Sequence, residues 1–117
     1  WIIEDALLFV KREARRGNLY HGIILEPPAY GYGPDGERWK LNESIYDMLL
    51  HVASILAQER SFIVLNLYSN GYSPAMAETL VSCAFGKKYR SLECGELVLK
   101  DSFGKILPMS VFARLKR

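Results

Sequence analysis

The chain is poor in cysteine and histidine and has no dominant charge, and each shortage removes a class of function. Cys83 and Cys94 are its only 2 cysteines. They show no C-x-x-C spacing, and the 2 histidines, His21 and His51, fall on different expected elements. A structural zinc site takes about four soft ligands, so no metal site is expected. Two unpaired thiols are the usual state in a reducing cytosol, and a cytoplasmic location is expected. No apolar stretch nears the roughly 20 residues that cross a bilayer, and no signal peptide stands out, so no membrane partner is expected. The formal net charge of +2 implies no polyanionic partner by itself. Short basic clusters do occur: Lys11, Arg12, Arg15 and Arg16; Lys87, Lys88 and Arg90; Arg114, Lys116 and Arg117. Such clusters serve a phosphate backbone or form solvated helix ends and tails. There is neither an internal repeat nor a low-complexity segment.

What is present suffices for one domain. Half of the 117 residues are hydrophobic, enough to build a core. Trp1-Ile2-Ile3 reads as the end of a strand, and the start at Trp1 suggests a piece of a longer chain. Asp5 precedes the helical run Ala6–Val10, which continues through Lys11–Arg16 to Gly17, with acid first, base last and glycine beyond. Tyr20–Leu25 reads as a strand. A Gly/Pro-rich segment from Pro27 to Gly36 follows, then a helix capped by Asn42 with Ile45, Met48, Leu49, Val52, Ile55 and Leu56 on one stripe. Ser61–Leu67 reads as a strand buried on both faces. Ser73-Pro74 opens a third helix that Gly86 can end. Leu92–Leu99 and Met109–Leu115 read as an antiparallel pair joined by Asp101–Pro108. This order predicts a mostly parallel α/β sheet closed by a reversed hairpin.

The turn after the first full strand is the most informative stretch. Gly22-Ile23-Ile24-Leu25 runs directly into Glu26-Pro27-Pro28-Ala29-Tyr30-Gly31. Each proline lacks an N–H and fixes its own φ, so the ladder ends there. An acid and an aromatic are thereby held at the carboxyl end of a strand, where open α/β sheets bind ligands.

That element order, with Glu4-Asp5-Ala6 and Glu26-Pro27-Pro28-Ala29-Tyr30-Gly31, resembles the class I S-adenosylmethionine-dependent methyltransferases. The bacterial ribosomal-RNA methyltransferases with an Asp-Pro-Pro motif after the fourth strand are the nearest likeness. The resemblance covers residues 1–117 as the C-terminal portion of the catalytic domain, without the Gly-rich, N-terminal cofactor-binding half. It implies a partial Rossmann-like sheet and the cofactor S-adenosylmethionine, with RNA as acceptor and partner. It further implies that Asp5 and Ala6 contact the adenine, that Glu26 orients the acceptor, that Pro27 and Pro28 fix the turn, and that Tyr30 supports the base. Asp5 also has a plain role as an N-cap, worth about 1 kcal/mol.

Two departures qualify the resemblance. Glu26 replaces the family's Asp, and an extra methylene moves the carboxylate by a distance that can cost about a hundredfold in rate. Relatives that methylate carbon 5 of cytosine use a cysteine, in some of them just past the fifth strand. Here that stretch is Asn66-Leu67-Tyr68-Ser69-Asn70-Gly71. Cys83 and Cys94 are expected in buried, apolar roles, so cysteine-dependent chemistry is not expected. Gly31-Tyr32-Gly33-Pro34-Asp35-Gly36 spells a dinucleotide-binding pattern but is rejected, because prolines intervene and no helix start follows. A substrate-facing flap carrying Tyr30, Tyr32 and Trp39 is the better reading. Alone, the chain is expected to be inactive. It should either self-associate through the apolar edge at Gly22–Leu25 or cover that edge with Trp1–Ile3. The other readings are a non-catalytic module that binds RNA or protein and a methyltransferase acting on a small molecule.

Overall fold

A computed structural model describes residues 1–33, 36, 38–69 and 71–117. Its elements run α1 (Ala6–Arg16), β1 (Gly22–Leu25), β2 (Tyr30–Tyr32), β3 (Arg38–Lys40), α2 (Leu41–Ile55), β4 (Phe62–Leu67), α3 (Pro74–Phe85), β5 (Ser91–Lys100) and β6 (Ile106–Lys116). The caps follow from local sequence. Asp5 Oδ1 accepts from the Leu8 N–H at 2.8 Å, and Gly17 closes α1 with φ of 70°. Ser73 Oγ accepts from the Met76 N–H at 3.2 Å, with Pro74 at the first position of α3.

Helix α2 departs from expectation at its start. Asn42 is not the cap; Lys40 holds that position without a side-chain cap bond. The β3 pairing keeps the chain extended through Lys40, and the Leu41 N–H donates to the Ala29 carbonyl at 2.9 Å. The helix therefore begins where that pairing ends. Asn42 Oδ1 instead accepts from the Tyr72 hydroxyl at 3.1 Å.

The sheet has four strands in the order β1-β4-β6-β5, with β1 parallel to β4 and the other two pairings antiparallel. This is the expected partial Rossmann-like α/β arrangement with its C-terminal hairpin. The strand expected at Tyr20 starts only at Gly22, because Tyr20 bonds to Ile55 and Ala57 at the end of α2. Trp1-Ile2-Ile3 is not a strand; it is irregular and exposed, and it does not cover β1. A run that short holds an extended form only with a partner strand.

All three helices pack together on one side of the sheet. Ile63, Leu65 and Leu67 on β4 point into that layer and are buried against Leu41, Leu49 and Val52 of α2 and Val81 of α3. Each fully buried aliphatic side chain of this size contributes about 1.5–3 kcal/mol. The expectation that β4 is buried on both faces fails. Its other face carries Phe62, which is exposed, and half-buried Val64 and Asn66, with Ile24 of β1 beside them 74% exposed. Among the described residues no helix or second sheet packs on that face.

One buried acid is fully partnered. Glu13 on α1 accepts from Tyr20 Oη at 2.6 Å, Asn18 Nδ2 at 2.7 Å and Arg16 Nη1 at 3.1 Å. The Tyr20 hydroxyl, then Asn18, hold its carboxyl below the usual glutamate range. The same bond raises Tyr20 above the usual phenol range. This cluster ties the end of α1 to the entry of β1.

Candidate active-site cleft

The parallel register of β1 and β4 sets the geometry of the cleft. Leu25 pairs with Leu65, so the next residues, Glu26 and Asn66, emerge side by side at the carboxyl ends of adjacent strands. Asn66 Nδ2 donates to Glu26 Oε1 at 2.8 Å. The Glu26 side chain is otherwise exposed, and Pro27 and Pro28 turn the chain away from the sheet. Asn66 Oδ1 and, just past β4, Ser69 Oγ are buried without a hydrogen-bond partner. Unpaired polar atoms of this kind are unusual in an interior.

The segment after the prolines is a hairpin. Strands β2 and β3 pair antiparallel, Tyr30 opposite Lys40, Gly31 opposite Trp39 and Tyr32 opposite Arg38. Trp39 Nε1 donates to the Pro28 carbonyl at 2.7 Å, which pins the hairpin to the Pro-Pro turn. Lys40 lies at 2.6 Å from Glu43 Oε1, and that hydrogen bond raises its pKa. Pro34 and Asp35 of the rejected glycine pattern, and Glu37 just beyond it, lie outside the described residues. The described part enters a strand rather than a helix, in line with the rejection.

These pieces enclose a cleft of about 670 Å³. Asp5 and Ala6 at the start of α1 form one wall, Glu26, Pro27 and Pro28 another, and Tyr32 and Trp39 of the hairpin the roof, over apolar Leu25, Ile45 and Met48. Asp5 caps α1 through Oδ1, while the Ala6 and Leu7 N–H groups lie beyond the reach of any intrahelical carbonyl. The helix start therefore offers donors and a positive dipole end to the cleft. Tyr30 is not part of the wall; it lies on the same hairpin face as Tyr32 and is 69% exposed.

Solved structures resemble the chain over nearly its whole length. A SAM-dependent methyltransferase from Agrobacterium tumefaciens matches with a TM-score of 0.92 and 32% identity, over 99% of this chain and 39% of that one. The chain carries part of the methyltransferase fold. A putative SAM-dependent methyltransferase from Streptococcus mutans matches with a TM-score of 0.65 at 15% identity, over 97% of this chain and 30% of its own. The M1.HpyAVI–SAM complex matches with a TM-score of 0.53 at 9% identity, over 97% and 52%. The last two likenesses speak to fold alone. The chain thus spans about two-fifths of the Agrobacterium protein. No protein-family model and no curated protein matches it.

Within this methyltransferase fold, Asp5, Ala6, Glu26, Pro27 and Pro28 meet in one cleft, and Tyr30 does not. Asn66 was missed as a site residue. Its signal was a lone amide on the strand Phe62-Ile63-Val64-Leu65-Asn66-Leu67, in register with the acid of the neighbouring strand. Neither cysteine lines the cleft. Cys94 is half-buried on β5, and burial, followed by Glu78 and Glu93, pushes its thiol up, away from the thiolate a nucleophile needs. Cys83 is exposed, contrary to expectation. The face of α3 that packs is Ala77, Val81 and Phe85, and Cys83 lies two residues past Val81, across the helix. Among the described residues no group of three or more His, Cys, Asp or Glu could hold a metal, and no helix is long and apolar enough to cross a membrane.

Proposed function

We propose that residues 1–117 are the C-terminal portion of the catalytic domain of an S-adenosylmethionine-dependent methyltransferase that acts on RNA, with ribosomal RNA as the substrate class, in the cytosol. The observation that carries this reading is one cleft shared by the α1 start and the Glu26-Pro27-Pro28 turn, in a chain 32% identical to a methyltransferase. The residues present fit the adenosyl end of the cofactor. A cleft of about 670 Å³ is of ligand-binding size, its floor is apolar, and Asp5 offers a carboxylate beside the Ala6 and Leu7 N–H groups, which have no intrahelical acceptor.

S-adenosylmethionine, when bound, supplies a methyl group on a sulfonium, open to direct displacement. The work left to this chain is alignment and desolvation. Asp5 and Ala6 would hold the adenine, the carboxylate accepting from its amine and the Ala6 N–H bonding to a ring nitrogen. Glu26, steadied by Asn66, accepts a hydrogen bond from the acceptor group and fixes its direction. Pro27 and Pro28 hold that carboxylate at the end of β1. The Pro28 and Ala29 carbonyls are already taken by Trp39 and Leu41, so the turn's remaining acceptors are Glu26 and the Pro27 carbonyl. Tyr30 stacks on an extruded base at the rim, and Tyr32 does so from the roof; such stacking contributes about 1–3 kcal/mol per base.

The missing part of the domain would supply the Gly-rich turn, the ribose-binding acid and the cover for the bare sheet face around Ile24, Phe62 and Val64. Without it the chain is expected to be inactive and to self-associate through Gly22–Leu25. One observation favours a small-molecule acceptor instead. The basic cluster on α1 is largely neutralised within the chain: Arg12 pairs with Glu4, Arg16 with Glu13 and Lys11 with Asp47. Labelled methyl transfer by the full-length protein to RNA and to small acceptors, at several salt concentrations, separates the two. Transfer to RNA that Glu26→Ala slows by about a hundredfold supports the proposal; transfer to small molecules alone redirects it. Salt-sensitive RNA binding with no affinity for the cofactor would make the protein a non-catalytic module.

A further inference from the structure

We propose that the free edge of β5 is a self-complementary docking strand that joins two copies of the chain into one continuous sheet. Strand β5 is the outermost strand of the order β1-β4-β6-β5, so among the described residues its far side has no partner. Beyond the reach of β4, which pairs with β6 only at Val111–Lys116, the β5–β6 hairpin projects from the body. The radius of gyration, 15.2 Å, accordingly exceeds the roughly 13 Å of a compact chain of this length. The arm is apolar on both faces, with Val98 46%, Leu99 57%, Phe103 89% and Ile106 62% exposed.

The tip of the arm closes in a hydrogen-bonded turn. Asp101 Oδ1 accepts from the Phe103 N–H at 2.9 Å and the Lys105 N–H at 2.8 Å, and Gly104 supplies the positive φ of 84° that the turn needs. The one irregularity skips Met109 on β6, since Leu97 pairs with Ser110 and Val98 with Pro108. The edge strand itself therefore stays regular, and it carries neither proline nor bulge, two of the devices that blunt an edge.

The occupant follows from the pattern Glu96-Leu97-Val98-Leu99-Lys100, five consecutive exposed residues. Two copies paired antiparallel about a two-fold axis through Val98 place Glu96 opposite Lys100 of the second copy. They also place Leu97 opposite Leu99 and Val98 opposite itself. Each ion pair and each leucine pair then occurs twice, as an isologous interface requires. The register has the right parity as well. Leu92 and Cys94 pack on the helix layer, so Glu96, Val98 and Lys100 share that side of the strand. Pairing even with even keeps both helix layers on one side of the joined sheet. Moving the axis to Leu97 sets Glu93 against Asp101, and moving it between residues pairs Glu96 with Leu99. Glu96 and Lys100 make no ion pair within their own chain among the described residues, so both charges are available. The contact is small, at the low end of specific interfaces, and association at about micromolar concentration is expected.

Sedimentation equilibrium on the full-length protein tests this. The wild type should dimerise. Glu96→Lys, which sets lysine against Lys100 twice, should weaken the dimer by about tenfold or more. The charge swap Glu96→Lys with Lys100→Glu should restore it. Ile24→Ser, on the opposite edge of the sheet, should leave it unchanged. A monomeric wild type, a dimer indifferent to Glu96→Lys, a swap that fails to restore association, or a dimer lost only with Ile24→Ser would each overturn the proposal.

Discussion

Glu26 and Asp5 are the residues on which the functional reading turns, and each has a structural role that must be separated from its chemistry. Glu26 touches the rest of the protein chiefly through Asn66 Nδ2. Glu26→Ala should leave the fold intact and lower kcat by about a hundredfold, the scale of a lost positioning contact. Asn66→Ala should do the same to a smaller degree, measured by labelled methyl transfer with the full-length protein. Asp5 caps α1, so Asp5→Ala should cost about 1 kcal/mol of stability and also weaken cofactor binding. Asp5→Ser keeps a capping oxygen and should lose only the binding; thermal melts and calorimetry read the two effects apart. Glu13 adds a pH dependence. Its folded pKa lies below its ordinary value of 4.5, so its stabilisation is complete above about that pH. The stabilisation is lost as pH falls through the folded value. Urea unfolding between about pH 3 and 6 should show an acid limb that flattens in Glu13→Gln. Asp5 was legible because capping is local and its signal lies within four residues. Asn66 was not, because its meaning comes from a partner 40 positions away that only the strand register supplies.

At the scale of elements, the legible parts were those whose signal is periodic or terminal. The stripe on α2 became the centre of the core, and Ser73-Pro74 and Gly86 bound α3 as read. The C-terminal pair came out antiparallel and longer than expected, because both strands extend past the body as an arm. The hairpin β2–β3 was not legible. Strands of three residues are too short for alternation to show, and what stabilises them is the Trp39–Pro28 bond and the Leu41–Ala29 bond. Trp39→Phe, which removes the indole donor and keeps an aromatic, should loosen the roof of the cleft. The expected result is a raised KM for the acceptor with little change in melting temperature. The core has the opposite profile. Leu49 and Leu65 are fully buried, and Leu49→Ala or Leu65→Ala should each cost about 2–5 kcal/mol in denaturant unfolding.

The whole molecule explains why β4 was read correctly as a strand and misread in burial. Helix patterns say that a layer packs on β4; they do not say that only one layer does. With α1, α2 and α3 all on one side, the face of Ile24, Phe62 and Val64 stays open among the described residues. The 39% coverage of the Agrobacterium methyltransferase shows how much more chain that protein has. A longer chain that covers this face should protect the amides of β1 and β4 from hydrogen exchange far better than residues 1–117 alone. The cleft is the point at which all scales meet, because α1, β1 with its proline turn, α2 and the hairpin each deliver one side of it. A crystal structure of the full-length protein with S-adenosylhomocysteine tests the account most directly. The adenine should lie against Asp5 and Ala6, with the sulfur turned toward Glu26, Pro27 and Pro28. A ligand bound elsewhere, or an adenine with no contact to the start of α1, would contradict it.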